Sequence, residues 1–169
     1  MEGDETSGWR PGKPTVFLNS RFHERAGMFS PDGRWLAYAS NESGRFEVYV
    51  RPFPGPGGNW QISTGDGGSL TPTPTWSRTR HELFYDTPDK RIIVASYMVE
   101  GDSFRADKPR LWSEARFITR PRQRSFDLHP DGNRFAIAAV TETQAVKEDK
   151  VVFIFNFFDE LRRIAPSAK

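Results

Sequence analysis

Short stretches of alternating apolar and polar residues, separated by turns rich in Gly and Pro, run through most of the chain. In Trp35-Leu36-Ala37-Tyr38, Leu36 and Tyr38 fall on one face of an extended strand, with Trp35 and Ala37 on the other. Glu47-Val48-Tyr49-Val50-Arg51 alternates in the same way. Pro52, Pro54, Gly55, Pro56, Gly57 and Gly58 end that strand, and Trp60-Gln61-Ile62-Ser63 supplies a shorter one. Further strands are predicted at Leu83 to Tyr85, over 92–97 after the turn at Pro88 to Lys90, and over 110–113 after a polar loop. Two more follow, at Phe135 to Ile137 and over 151–155 after the charged loop 141–150. The pattern predicts an all-β protein built of short antiparallel strands.

One segment recurs. Phe29-Ser30-Pro31-Asp32-Gly33-Arg34-Trp35-Leu36-Ala37-Tyr38 returns as Leu128-His129-Pro130-Asp131-Gly132-Asn133-Arg134-Phe135-Ala136-Ile137. A degenerate copy, Trp76-Ser77-Arg78-Thr79-Arg80-His81-Glu82-Leu83-Phe84-Tyr85, lies between them. The spacing from Ser30 to Ser77 is 47 residues, and from Ser77 to His129 it is 52. Each copy reads as strand, turn, strand. Pro31 presets φ at the turn, Asp32 bonds the turn backbone through its side chain, and Gly33 supplies positive φ. The middle copy lacks these turn residues but keeps Leu83 and Tyr85, which carry its strand pattern.

With the strands that follow each copy, the chain divides into three units of about 50 residues and four strands each, the period of a β-propeller blade. The third unit lacks its fourth strand. Thr15, Val16, Phe17 and Leu18 stand where the last strand of a preceding unit would lie, so 15–18 is expected to complete the third blade, within its own chain or a partner's. Residues 1–14 are expected to be a flexible N-terminal segment and 15–155 to form the three blades. The tail 156–166 is expected to be a short helix: Phe157 or Phe158, Leu161 and Ile164 make an apolar stripe, acids precede arginines as the helix dipole favours, and Pro166 stops it.

Composition narrows the function classes. The chain has 169 residues, and its aromatic content of 14% excludes a disordered chain. It holds no cysteine, hence no disulfide framework and no thiolate metal site. No apolar run is long enough for a membrane-spanning helix, and Met1 to Gly8 holds no signal-peptide core, so a cytoplasmic location is favoured and no membrane partner is expected. The net charge is only +2, which does not favour nucleic acid. It hides one basic stretch in which Arg105, Lys108, Arg110, Arg116, Arg120, Arg122 and Arg124 face only Asp107 and Glu114.

The first copy, with Ser40-Asn41-Glu42-Ser43-Gly44 after it, resembles the TolB-type, WD-like propeller repeat. Its continuation Glu47-Val48-Tyr49-Val50-Arg51-Pro52-Phe53-Pro54-Gly55, then Trp60-Gln61-Ile62-Ser63, is similar to the C-terminal propeller of bacterial serine/threonine protein kinases, and Asn156-Phe157-Phe158-Asp159-Glu160-Leu161 matches how such chains end. The resemblance implies a six-bladed propeller, sometimes seven- or eight-bladed, used for sensing or protein binding, with no catalytic residues of its own. The motifs of the kinase half are absent: there is no Gly-rich phosphate loop, no His-Arg-Asp and no Asp-Phe-Gly.

Three blades are half of a six-bladed ring and cannot close alone. Either the chain continues into the blades of a longer parent, or two copies associate head to tail as a homodimer. Met1 opens the chain, which favours the homodimer.

Candidate chemistry is sparse. His23-Glu24 and His81-Glu82 begin like a zinc-protease motif but lack its second histidine. His129 takes the serine position of its turn, a structural place. Asn41-Glu42-Ser43 fits a glycosylation sequon but is better read as a hairpin turn, and Gly65-Asp66-Gly67-Gly68 offers too few carboxylates for calcium. No Gly-x-Ser-x-Gly elbow is present. No catalytic residue, cofactor or metal site is therefore assigned. The remaining candidates line the axial mouth: His23, Arg25, Arg122 and Arg124, at the entry ends of the innermost strands, would bind an anionic small ligand or an acidic protein segment. The expected function is a non-enzymatic β-propeller module for protein or ligand interaction. The alternatives are a remnant serving only self-association and a lactonase- or lyase-like enzyme with an axial site, for which Asp127 and Glu24 are the only carboxylates near the inner strands.

Overall fold

The computed structural model describes residues 12–65, 72–117 and 126–137. The chain partitions into Met1–Ala139 and Val140–Lys169, and every described residue belongs to the first unit. The expectations for 1–11, for Asp66 to Gly68, for Arg120, Arg122 and Arg124, for the strand 151–155 and for the helix 156–166 lie outside the described residues.

Among the described residues the chain is all β, in antiparallel sheets, with no helix. Sheet 1 runs β1 (Glu24–Phe29), β2 (Trp35–Ser40), β3 (Glu47–Pro52) and β4 (Trp60–Gln61), side by side in chain order. Sheet 2 holds β5 (Thr75–Trp76), β6 (Glu82–Asp86), β7 (Ile92–Glu100), β8 (Ser103–Ala106) and β9 (Arg110–Ser113), with β8 and β9 both paired to β7. Sheet 3 is the pair β10 (Phe126–Leu128) and β11 (Phe135–Ile137).

The three copies of the repeated segment close their turns through one and the same backbone bond. The N–H of Ser30 donates to Trp35 O at 2.8 Å, that of Ser77 to Glu82 O at 2.9 Å, and that of His129 to Arg134 O at 2.8 Å. Gly33 and Gly132 take φ of 71° and 72°, as positive-φ turn positions require, and each donates its N–H to the first residue of its turn at 2.9 Å. In the first turn Asp32 accepts from the Ser30 hydroxyl and from the Arg34 N–H at 3.1 Å. Burial raises the Asp32 carboxyl, but those two bonds and the Arg34 charge outweigh it and hold the group below its ordinary value. The degenerate middle turn replaces Asp with the Ser77 hydroxyl, which accepts from the N–H groups of Thr79 (3.4 Å) and Arg80 (3.2 Å).

Alternation along β6 and β7 gives sheet 2 two apolar faces. Leu83, Tyr85, Ala95 and Tyr97 pack toward sheet 1, against Trp35, Ala37, Val48, Val50 and Ile62. Phe84, Ile92 and Val94 pack on the other side against Phe126, Leu128, Phe135 and Ile137, with Phe117 and Trp112 closing the layer. Sheet 2 is thus the middle layer of three. The first strands of sheets 1 and 2, β1 and β5, meet directly, where Trp76 Nε1 donates to Met28 O at 2.9 Å. Arginines tie the turns across layers. Arg34 reaches Gly101 O of sheet 2 at 2.7 Å, and Arg80 reaches Gly132 O and Asn133 Oδ1 of sheet 3.

Strand β8 lies within the stretch the sequence pattern treats as a polar loop. Strand β7 outruns β6, and its second half, Tyr97 to Glu100, folds back through Gly101 (φ 58°) to pair with Ser103–Ala106. This hairpin delivers Phe104, 2% exposed, into the junction of sheets 1 and 2. Its ring stacks on Tyr97 at 5.0 Å and lies 5.2 Å from Trp35 and 6.1 Å from Trp76. Residues 15–18 form no strand here. Phe17 packs edge-on against Phe53 at 4.9 Å, with the Arg51 guanidinium 5.5 Å over its ring, so the segment is held by aromatic contact rather than by a sheet ladder.

Two substitutions test these contacts. Phe104→Ala empties the junction between the first two layers and is expected to lower the unfolding free energy by about 3–5 kcal/mol in urea denaturation. Gly132→Ala is expected to cost more than about 1 kcal/mol from the left-handed φ alone. A Cβ there would also stand 2.6 Å from Thr79 Oγ1 and 2.9 Å from Ser77 Oγ, so the same denaturation series should exceed that figure.

Candidate functional site

The first strands of the three sheets have two ends, and the described side chains populate them differently. At the entry end, His23 and Arg25 are both exposed. The His23 N–H donates to Asn41 Oδ1 at 2.8 Å, which pins the start of β1 to the β2–β3 hairpin. Arg25 pairs with Ala39 in the ladder, and its guanidinium lies 5.5 Å over the Phe46 ring on the same hairpin. A bulge follows, with Ala26 at φ 54°. His23 and Arg25 therefore sit two residues apart at this end, each engaged by the β2–β3 hairpin. Arg122 and Arg124 fall outside the described residues, so the four-residue basic mouth is described only in these two members.

Sheet 2 places a carboxyl group at its own entry end. Asp86, the last residue of β6, accepts from the Thr73 N–H at 2.5 Å and from the Thr73 hydroxyl at 2.6 Å. Burial pushes its carboxyl above the ordinary value, and the two Thr73 bonds offset only part of that. Glu47 is also out of water, and it is fully partnered. Arg45 Nε stands 2.8 Å from Oε1, the Gly65 N–H donates to the same oxygen at 3.0 Å, and the Ser63 hydroxyl donates to Oε2. Both acids hold a strand end to the segment beside it.

At the opposite end the first strands of the three sheets converge on a cleft of about 420 Å³. Met28 and Phe29 of β1, Thr75 and Trp76 of β5, and Asp127 and Leu128 of β10 line it, with Pro31, Arg78 and His129 from the three turns. A second hollow of about 300 Å³ opens between the first and second turns and shares Pro31 and Arg78 with the cleft. His81 and Tyr97 line its far side, their rings 5.2 Å apart. Burial, and then the Asp32 charge, push the Tyr97 phenol up to about 12, so it stays a neutral hydroxyl.

His129 does structural work in its turn: Nδ1 accepts the Asp131 N–H at 3.2 Å, and the ring lies beside Asp131 and Arg134. Arg78 is different. Most arginines near it are engaged: Arg34 with Gly101 and Asp102, Arg80 with Glu82, Gly132 and Asn133, and Arg110 with Glu82. Among the described residues no acceptor, ring or carboxylate partners Arg78. Sequence reasoning did not single it out, although a signal was present. Arg78 stands where the other two copies of the turn have Pro31 and Pro130.

Among the described residues no three His, Asp or Glu side chains gather into a set that could hold a metal ion, and no helix is long and apolar enough to cross a membrane. No model of a known protein family matches the chain, and no curated protein matches it.

The Asp86 environment gives a pH dependence of definite sign. A carboxyl whose folded pKa is raised binds protons more tightly in the folded than in the unfolded state. Its contribution to stability is fully present below the ordinary value near 3.8 and is lost as pH rises through the folded pKa. Asp86→Asn keeps an acceptor for Thr73 and removes the charge. Urea unfolding at pH 4, 5.5 and 7 is expected to show the variant gaining on the parent as pH rises, and equal or greater stability for it at pH 7.

Proposed function

We propose that the chain is a three-bladed half of a six-bladed β-propeller, TolB-type and WD-like in its repeats, and that it serves as a non-enzymatic module for binding protein or small-molecule partners. The observation that carries this reading is the turn bond repeated in three successive units. Ser30, Ser77 and His129 each close the same five-residue step, and the units so marked stack face to face with β1 and β5 in contact. A sandwich of unrelated sheets has no reason to repeat one turn at the same place in every layer. Blades around an axis do, because each enters from the inner strand through an equivalent corner.

A second copy of the chain is the expected complement. Head-to-tail association of two three-layer stacks would cover the exposed aromatic end of sheet 1, at Phe29 and Phe53, and complete a ring with two-fold symmetry. The C-terminal helix and the completion of the third blade by residues 15–18 belong to this same reading. In it, residues 15–18 would have to leave their contact with Phe53 and Arg51 to join a sheet edge.

The test is the solution mass of the full chain, by light scattering coupled to gel filtration. A mass near twice 19.3 kDa is expected. A cooperatively folding species at 19.3 kDa across the micromolar range overturns closure by a second copy.

A further inference from the structure

We propose that the cleft at the far end of the inner strands binds a monocarboxylate carried on an apolar group, with Arg78 as its anion-binding residue. The inference rests on the reading of this chain as a binding module and adds the ligand class. It does not require the ring, since every residue it uses belongs to one chain.

The argument starts from the turn. Its second position is proline in copies one and three, where the fixed φ serves the corner. Copy two gives up that proline and holds its corner by other means, the Ser77 hydroxyl on two N–H groups and Arg80 docked on the third turn. Arg78 contributes nothing to these bonds. It is exposed, and no described group neutralises it. The fold therefore places a free guanidinium at the wall shared by two hollows without using it for support.

The chemistry of the larger hollow selects the ligand. Its lining is mixed, with Met28, Phe29, Trp76 and Leu128 on the apolar side and Thr75, Arg78, Asp127 and His129 on the polar side. Phe29, on β1, is 50% exposed, with its ring edge-on against Phe53. A volume of about 420 Å³ lies within the range that small-ligand sites occupy. A planar guanidinium binds a carboxylate through two parallel hydrogen bonds. The dianionic alternative, a phosphate, fits less well. His129 is engaged by Asp131 and Arg134, so one cation would have to hold two charges. A single negative charge attached to an aromatic or branched aliphatic group matches one arginine beside the apolar side chains of Met28, Trp76 and Leu128.

Two sources share this chemistry: the C-terminus of a peptide ending in an apolar residue, and a free small acid. Titration calorimetry on the full chain separates them. The probes are a hexapeptide ending in Phe with a free carboxylate, the same peptide as its C-terminal amide, phenylacetate, and inorganic phosphate. Binding of at least one carboxylate probe is expected, with Arg78→Ala weakening it about tenfold or more and Arg78→Lys weakening it less. Arg116→Ala, an exposed arginine away from the cleft, should leave it unchanged. Peptide binding without phenylacetate binding assigns the peptide terminus, and the converse assigns the small acid. The proposal is overturned if the amide binds as well as the acid, if phosphate binds more tightly than either carboxylate, if Arg78→Ala binds like the parent, or if neither carboxylate binds at millimolar concentration. Thermal melts of the three variants check that they fold. Since binding is read per chain and ring closure by mass, a monomer that binds leaves this proposal standing, and a dimer that does not bind removes it alone.

Discussion

The middle sheet is apolar on both faces, and the rest of the structure follows from covering them. Strand alternation sends Leu83, Tyr85, Ala95 and Tyr97 to one side and Phe84, Ile92 and Val94 to the other. Each face is a hydrophobic surface that must be removed from water, at roughly 25 cal/mol per Å² buried. Neither sheet 1 nor sheet 3 can substitute for the other. Sheet 1 supplies Trp35, Val48 and Val50, and sheet 3 supplies Phe126 and Phe135. The arginine contacts from the turns add register to this packing: Arg34 fixes sheet 1 against the β7–β8 hairpin, and Arg80 fixes sheet 2 against the third turn.

Much of this was legible in the sequence because it depends on local chemistry. Period-two alternation located β2, β3, β6 and β11, since half-buried strands carry their faces in the pattern itself. The Pro-Asp-Gly turns located the corners because few residues reach the required φ. Strand β8 was missed for an equally physical reason. In Gly101-Asp102-Ser103-Phe104-Arg105-Ala106 a single aromatic stands among polar residues, and a four-residue edge strand needs only one buried side chain to hold it. The Gly101-Asp102 pair was the available signal, a hairpin turn between two extended runs.

The candidate site was less legible than the fold. His23 and Arg25 were chosen as cations at a strand entrance, but charge along a sequence does not say whether a ring waits nearby. Phe46 lies beneath Arg25, and the β2–β3 hairpin takes up the His23 N–H. Arg78 was passed over because its turn looked degenerate. The turn is degenerate in residue type and intact in hydrogen bonding, and only the coordinates separate the two.

The outer face of sheet 1 bears on how such a stack ends. Tyr38 and Tyr49 lie there side by side, ring centroids 6.0 Å apart, both nearly inaccessible. The Tyr38 hydroxyl donates to Asn59 Oδ1 at 3.1 Å, and burial, with the Glu42 charge behind it, pushes the phenol up to about 12. Farther along the same face the surface changes to bare aromatics. Phe29 and Phe53 meet edge-on at 4.7 Å, both well exposed, and Phe17 joins Phe53 from the N-terminal segment with Val16 left in solvent beside it. One end of the face is satisfied by its own hydrogen bonds, and the other is an apolar run only partly covered. Any surface that docks on sheet 1 gains most at that second end, so the N-terminal segment must either form part of the interface or be displaced by it. Phe29 also borders the cleft beside Arg78, so the aromatic run and the cleft meet at one residue of β1.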